Sequence, residues 1–361
     1  METLMQNWKR YLVVLAILAI PLMAIACGSN TGIGGEKFAV TKGTIKFHDG
    51  QWETLSLHNA LAMYITEHGY GYPVEEIEGT TGTMKVALPL GDLDVNMEMW
   101  RQNISEWYEE QIALGKLTDL AGTTDNVEDG AKGQILESSI QAFYIPTYIA
   151  EENPGLKSVS DLPDYWELFK DQEDPSKGVM VNCIIGWQCQ KIVRAKWHAY
   201  GLYDTYNVME PGAAAAIDAN MKGAYDAKKP VLTYYWEPTK LLNDLDMTRL
   251  EEPEWTQKCQ DALDAAVEAE PYESTEGCGF PIGDVHTGVN NYLFERAPEV
   301  VTFLGNIFVG ALALDDLTTW RKDNEKDFDE AAIYYLKNNE ATWTKWVPTD
   351  IADKVKAALA S

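Results

Sequence analysis

Between Thr44 and Trp100 the chain alternates strand-like and helix-like runs at a spacing that leaves few folds open. Thr44–His48, Val74–Glu78 and Leu93–Trp100 read as strands. Between the first two, Leu57, Leu61, Tyr64 and Ile65 recur on one helical face, and Gly69 reads as the end of that helix. Between the second and third, Thr81–Leu90 reads as a helix stopped early by Pro89. A β-α-β-α-β order implies a parallel sheet whose functional ends lie at the strand C-termini. The rhythm resumes after Asn153-Pro-Gly155, with a strand over Gly178–Ile184, a helix from Gln190 to Tyr200, an Ala-rich helix over Gly212–Lys228 and a strand over Pro230–Trp236. A chain of 361 residues exceeds what one core usually serves, so two α/β lobes are expected.

The segments between are read as follows. Ile104–Leu114 is an amphipathic helix with Trp107 packed, Asp119–Lys132 a strand and loop, and Tyr144–Tyr148 an extended crossover. From Phe280 the chain returns to the first lobe through a strand at Val285–Val289. Helices then follow around Asn291–Ala297, Glu299–Leu304, Asp327–Asn338 and Asp350–Ala360. Gly79-Thr-Thr-Gly82-Thr-Met-Lys85 lacks the Gly-Lys-Ser/Thr of a phosphate-binding loop and reads as a helix start whose free amides face the cleft.

Aromatic residues are abundant, with 12 Trp and 18 Tyr, and four of the tryptophans share a property. Trp52, Trp100, Trp187 and Trp236 each come at or just past the end of an expected strand, two in each lobe, so the topology directs all four to one cleft. Any one of them alone reads as core packing. Together they fit a cage for a quaternary ammonium ion, which donates no strong hydrogen bond and is held by the faces of aromatic rings. Trp187 lies between Cys183 and Cys189, whose bridging would hold the indole on a tight ring. Glu98 lies two residues before Trp100 and shares its strand face. It reads either as a carboxylate that strengthens cation binding or as a solvated or Lys-paired surface acid. Trp166, Trp197, Trp320, Trp343 and Trp346 read as structural.

The N-terminus reads as a targeting segment. Lys9 and Arg10 precede an apolar run from Tyr11 to Ala26, and Ala24-Ile25-Ala26-Cys27 follows the pattern of a bacterial lipoprotein cleavage site, with Ala24 where Leu is usual. On this reading residues 1–26 are the signal peptide, Cys27 is the acylated first residue and 27–42 is a tether. An ordinary signal peptide or membrane anchor is the alternative. Export permits oxidation of the other four cysteines, which pair by proximity as Cys183–Cys189 and Cys259–Cys278. No metal or cofactor is implied, because no histidine lies near these cysteines in sequence. A formal charge of −27 argues against nucleic acid or an anionic membrane surface as the working partner. Catalysis is disfavoured as well, since the five histidines form no nucleophile or H-E-x-x-H pattern.

The chain resembles the substrate-binding proteins of glycine betaine/choline/carnitine-type ABC importers over roughly Thr44 to Phe308. The resemblance is carried by Gly-Asp-Leu-Asp-Val at 91–95 with Glu98-Met99-Trp100, by Gly186-Trp187-Gln188-Cys189, by Trp236-Glu-Pro238 and by the Phe280-Pro281 return. It implies an α/β, two-lobed periplasmic-binding-protein (type II) fold with a hinge and a ligand cleft between the lobes. Lobe I would be 43–143 with 281–361, and lobe II 144–280. It implies a cage of Trp100, Trp187 and Trp236, joined by Trp52 as in choline-type members. The implied partners are a small cationic or zwitterionic ligand, a membrane permease and an ATPase. The binding protein itself would be an extracytoplasmic monomer, lipid-anchored to the bacterial membrane. Two departures bear on the ligand: Ile104 stands where some betaine binders carry a carboxylate-contacting His, and Glu237 where Thr is frequent. Choline, carnitine and trimethylamine N-oxide are therefore alternatives to glycine betaine, and a ligand-sensing role without transport is an alternative to import.

Overall fold

Among the described residues ten strands form two linked half-sheets, and one long strand belongs to both. The computed structural model describes residues 42–122 and 134–361. The expectations for the signal peptide, Cys27, all of the tether but Lys42, and the loop from 123 to 132 lie outside the described residues. In chain order the strands are β1 (Ile45–Asp49), β2 (Val74–Glu78), β3 (Val95–Met99), β4 (Leu117–Asp119), β5 (Gln134–Pro146), β6 (Gly178–Val181), β7 (Tyr206–Met209), β8 (Thr233–Glu237), β9 (Met247–Arg249) and β10 (Gly283–Asn290). Their lateral order is β2-β1-β3-β10-β5-β8-β6-β7, with β4 paired to β10 and β9 to β5.

The expected parallel pairing holds at both ends of this array: β1 is parallel to β2 and β3, and β6 to β7 and β8. The centre departs from it, because β10 runs antiparallel to β3 and β5, and β5 antiparallel to β8. The extended crossover expected at Tyr144–Tyr148 is extended only to Pro146 and belongs to a longer strand. Those residues end a 13-residue strand and open the helix Thr147–Glu152. β5 pairs with β10 between Gln134 and Ser139 and with β8 from Ile140 onward, so it carries the chain from one half-sheet to the other without a loop.

Each half-sheet has its own apolar core, which gives the molecule two lobes. One core joins Ile45, Phe47, Val95 and Met97 to Leu136, Val285 and the C-terminal helices through Val355. The other joins Phe143, Ile145, Met180 and Val181 to Trp197, Tyr206 and Tyr234. Trp197 and Trp343 are fully buried, one in each core. In β3 every residue is buried, which makes Asn96 and Glu98 polar side chains held inside the protein.

Two further expectations are revised. The helix Glu53–Ile65 continues through a π-helical turn at Thr66–Tyr70 and ends at Gly71, whose φ of +73° suits glycine. Gly69, expected as the stop, is instead a point of close approach. A Cβ there would sit 2.8 Å from Ile351 Cγ2 of the helix Thr349–Leu359. The helices Gln257–Ala266 and Ala311–Asp323 were not anticipated. Trp107 is half-buried and packs against the small cluster of Met84, Leu88 and Met99.

Candidate functional site

The strands deliver their aromatic residues to one cavity between the lobes. Trp52 precedes the helix Glu53–Ile65, three residues beyond β1, and Trp100 immediately follows β3. Trp187 precedes the helix Gln188–Ala199, past the turn that follows β6. Trp236 lies within β8, one residue before its end. All four, with Glu98, line the same cavity. Trp52 and Trp100 each pack against both apolar cores, as residues at a lobe boundary must.

Three of the indoles stand as adjacent walls. Trp52 and Trp187 meet at 77° with ring centroids 5.3 Å apart, and Trp187 and Trp236 at 73° and 5.5 Å. Tyr235 stacks behind Trp236 at 4.4 Å and 22°, bracing it. Rings at right angles at this separation present faces to a common space, where a cation gains from each ring's quadrupole. The Cys183–Cys189 disulfide closes the short ring that carries Trp187, and Cys259–Cys278 ties the helix Gln257–Ala266 to the segment just before Phe280.

Glu98 is neither solvated nor paired with lysine. It is 1% exposed, and its carboxylate gathers donors from three segments. Oε2 accepts from Trp52 Nε1 at 2.5 Å, Thr54 Oγ1 at 3.1 Å and Trp100 Nε1 at 3.2 Å. Oε1 meets His58 Nδ1 at 2.7 Å. One carboxylate thus ties together two of the indoles that line the cavity.

The cavity lining also carries uncharged polar side chains. Asn103 and Gln141 exchange hydrogen bonds, each donating its amide to the other's oxygen at 3.0 Å, and the Tyr234 hydroxyl donates to Gln141 Oε1 at 2.8 Å. Asn96 Oδ1 accepts from the Glu98 amide at 2.9 Å, and Gln188 adds a further amide to the lining. His48 lines the cavity too, its Nε2 3.0 Å from the Gly79 carbonyl, and burial holds its pKa below the usual histidine value. Ile104 is an apolar part of the wall. Glu237 is engaged elsewhere, accepting from the Tyr144 hydroxyl at 2.6 Å.

The cleft is bridged directly. Trp187 Nε1 donates to the Gly50 carbonyl at 2.9 Å, and the Thr81 amide donates to the Gly186 carbonyl at 3.2 Å. The second bond corrects the expectation of free amides at this helix start: Thr81 is bonded across the cleft, and Thr83 to the Thr80 hydroxyl. Sequence reasoning missed Asn96, Asn103, Gln141, Gln188 and Tyr234. Asn96 and Tyr234 each lie two residues before a residue it had singled out on the same strand face, so the alternation of β3 and β8 was a usable signal.

Residues 43–338 match the family model described as the substrate binding domain of ABC-type glycine betaine transport systems. The chain belongs to that family. The glycine betaine transport family is one of solute-binding proteins, not of enzymes, and its two-lobed architecture is the one found here. The chain is similar to the glycine betaine/proline betaine-binding periplasmic protein of Escherichia coli (strain K12), with 27% identity over 233 residues covering 63% of this chain and 66% of that protein. Its counterpart in Salmonella typhimurium (strain LT2) is 22% identical over 231 residues, covering 61% of this chain and 67% of that protein. The chain thus spans about two thirds of the length of these curated relatives. Among solved structures, a choline binding protein of an ABC transporter in complex with choline superposes with a TM-score of 0.66 at 18% identity, covering 88% of this chain and 98% of that one. At that identity the likeness concerns the fold alone.

Proposed function

We propose that this protein captures a quaternary ammonium compound between its lobes and delivers it to the permease and ATPase of an ABC importer. The observation that carries the reading is the cluster of Trp52, Trp187 and Trp236, in which Trp187 stands nearly perpendicular to each of the other two, with Trp100 lining the same cavity. A trimethylammonium group is nearly spherical, weakly hydrated and without N–H, so ring faces on several sides are the environment that suits it. The names of the relatives support the same class of ligand.

In this reading lobe I, expected as 43–143 with 281–361, gives way to lobe II at Ile140 rather than 144, because β5 pairs into the second half-sheet from Ile140 and Phe143 lies in the second core, and the lobes hinge where β5 and the segment around Phe280 cross between them. The protein works as an extracytoplasmic monomer, held at the membrane by a lipid on Cys27 after removal of residues 1–26. The residues that support the anchor are Lys9, Arg10, the apolar run and Ala24-Ile25-Ala26-Cys27.

Calorimetric titration with choline, glycine betaine, carnitine and trimethylamine N-oxide, with proline as a control, tests the ligand class. Saturable binding of at least one quaternary compound is expected. Heats no larger than dilution for all of them would remove the cage and leave an α/β solute binder of another specificity.

A further inference from the structure

Among the described residues that line the cavity, Glu98 is the one acidic side chain. No lysine or arginine is among them. His48 is kept toward its neutral form by burial, and burial pushes the Tyr234 hydroxyl far above neutral pH. What remains is Glu98. Its neighbour His58 is fully buried and engages it through Nδ1, while His58 Nε2 has no hydrogen-bond partner among the described residues. The other donors to the carboxylate, the Trp52 and Trp100 indoles and the Thr54 hydroxyl, are uncharged, and the cavity lining offers the carboxylate no lysine or arginine.

This bears on the two ends of a ligand differently. The ammonium end is drawn to the rings and to Glu98 alike. A carboxylate at the other end would leave water for Asn103, Gln141, Gln188 and Tyr234, none of which carries a positive charge, and it would share the cavity with a like charge. A hydroxyl at that end can donate to or accept from the same amides without either penalty.

We propose that Glu98 sets the charge selectivity of the site, favouring a quaternary ammonium with a net positive charge and an uncharged hydroxyl tail, of the choline type, over a zwitterion of the glycine betaine type. It also positions Trp52 and Trp100 through their indole N–H groups. The inference rests on the cage reading above and narrows it to one kind of ligand.

Choline and glycine betaine share one head group, so titrating the parent and Glu98→Gln with both ligands isolates the tail and the charge. The parent should bind choline at least about tenfold more tightly than glycine betaine. In Glu98→Gln, whose side-chain oxygen can still accept from an indole, choline affinity should fall at least about tenfold while glycine betaine affinity changes less, bringing the ratio toward unity. A purely structural role for Glu98 would weaken both ligands in parallel, and an unchanged ratio overturns the proposal. Should the variant fail to fold, the parent decides alone: equal affinities, or a preference for glycine betaine, overturn it. A parent that binds neither ligand nor any other quaternary amine overturns the cage itself, and is distinguished by that silence.

Discussion

The indole N–H of Trp187 reaches across the cleft to the carbonyl of Gly50, 2.9 Å away. This bond links the disulfide-bound loop of one lobe to the turn that presents Trp52 in the other. Gly50 suits that turn because a Cβ would lie 2.0 Å from the Trp52 ring. Trp187 therefore both lines the cavity and bonds across the cleft, which in the proposed reading makes it a wall of the cage and part of its closure. Trp187→Phe keeps a ring face but loses the cross-cleft bond, which contributes about 0.5–1.5 kcal/mol, so a several-fold loss of affinity is expected. Trp187→Ala loses the ring as well, for a further 1 kcal/mol or more. Solution scattering should show the parent contracting on saturation with ligand, and the Phe variant more expanded than the parent without it. Identical dimensions in all four states would exclude a hinged trap.

The two disulfides should separate stability from binding. Loop-entropy arithmetic assigns about 2 kcal/mol to the ring of Cys183–Cys189 and about 3 kcal/mol to the longer Cys259–Cys278 loop. Only the shorter one carries a cage residue. Cys183→Ser with Cys189→Ser should weaken ligand binding by more than Cys259→Ser with Cys278→Ser does, although the second pair should lose more resistance to urea. Equal effects on affinity would show that the short ring does not hold Trp187.

What could be read from the sequence follows from where each functional group is anchored. Trp100 and Trp236 lie at strand ends, and the order of elements suffices to place them. Trp187 is marked by its flanking cysteines. His58 and Gln141 carry no comparable mark. His58 reaches Glu98 from the buried face of a helix 40 residues away, and Gln141 lies in a strand shared by both half-sheets. β5 itself was obscured because its polar Ser139 and Gln141 are buried at the lobe boundary, where alternation no longer separates core from solvent. The antiparallel centre of the sheet is set by the late return of β10, which local patterning does not encode.

Asp119 offers a test by pH. Burial alone would raise its pKa, but hydrogen bonds from His286 Nδ1, at 2.8 Å to Oδ2, and from the Ala121 amide, with the charge of Arg101 nearby, hold it below the ordinary aspartate value. A carboxyl with a depressed folded-state pKa binds fewer protons in the native than in the unfolded state. Its contribution to stability is present above the unfolded pKa and lost as pH falls through the folded one. Asp119→Asn should melt below the parent at pH 7, and the gap should close as the pH drops through and below the ordinary carboxylate range. A gap that stays constant with pH would mean that the charge of Asp119 contributes nothing.

Lys196 provides the most severe single change expected in the scaffold. It lies on the helix Gln188–Ala199 with its side chain fully buried, its Nζ 2.5 Å from Glu252 Oε1 and 3.7 Å from the centre of the Phe280 ring. Tyr200 adds a hydroxyl to the same carboxylate oxygen at 2.9 Å. Desolvation lowers the lysine pKa and Glu252 opposes that shift, so the pair is held by mutual need in a dry environment. Because the ammonium lies over Phe280, the pair also pins the segment by which the chain returns to the first lobe. Lys196→Met strands Glu252 and should cost about 3–5 kcal/mol in urea unfolding. Adding Glu252→Gln removes the stranded charge and should restore a large part of that loss, since a neutral buried pair lacks the desolvation penalty. If the double variant is no more stable than Lys196→Met, packing of the lysine stem rather than charge pairing explains the burial of this residue.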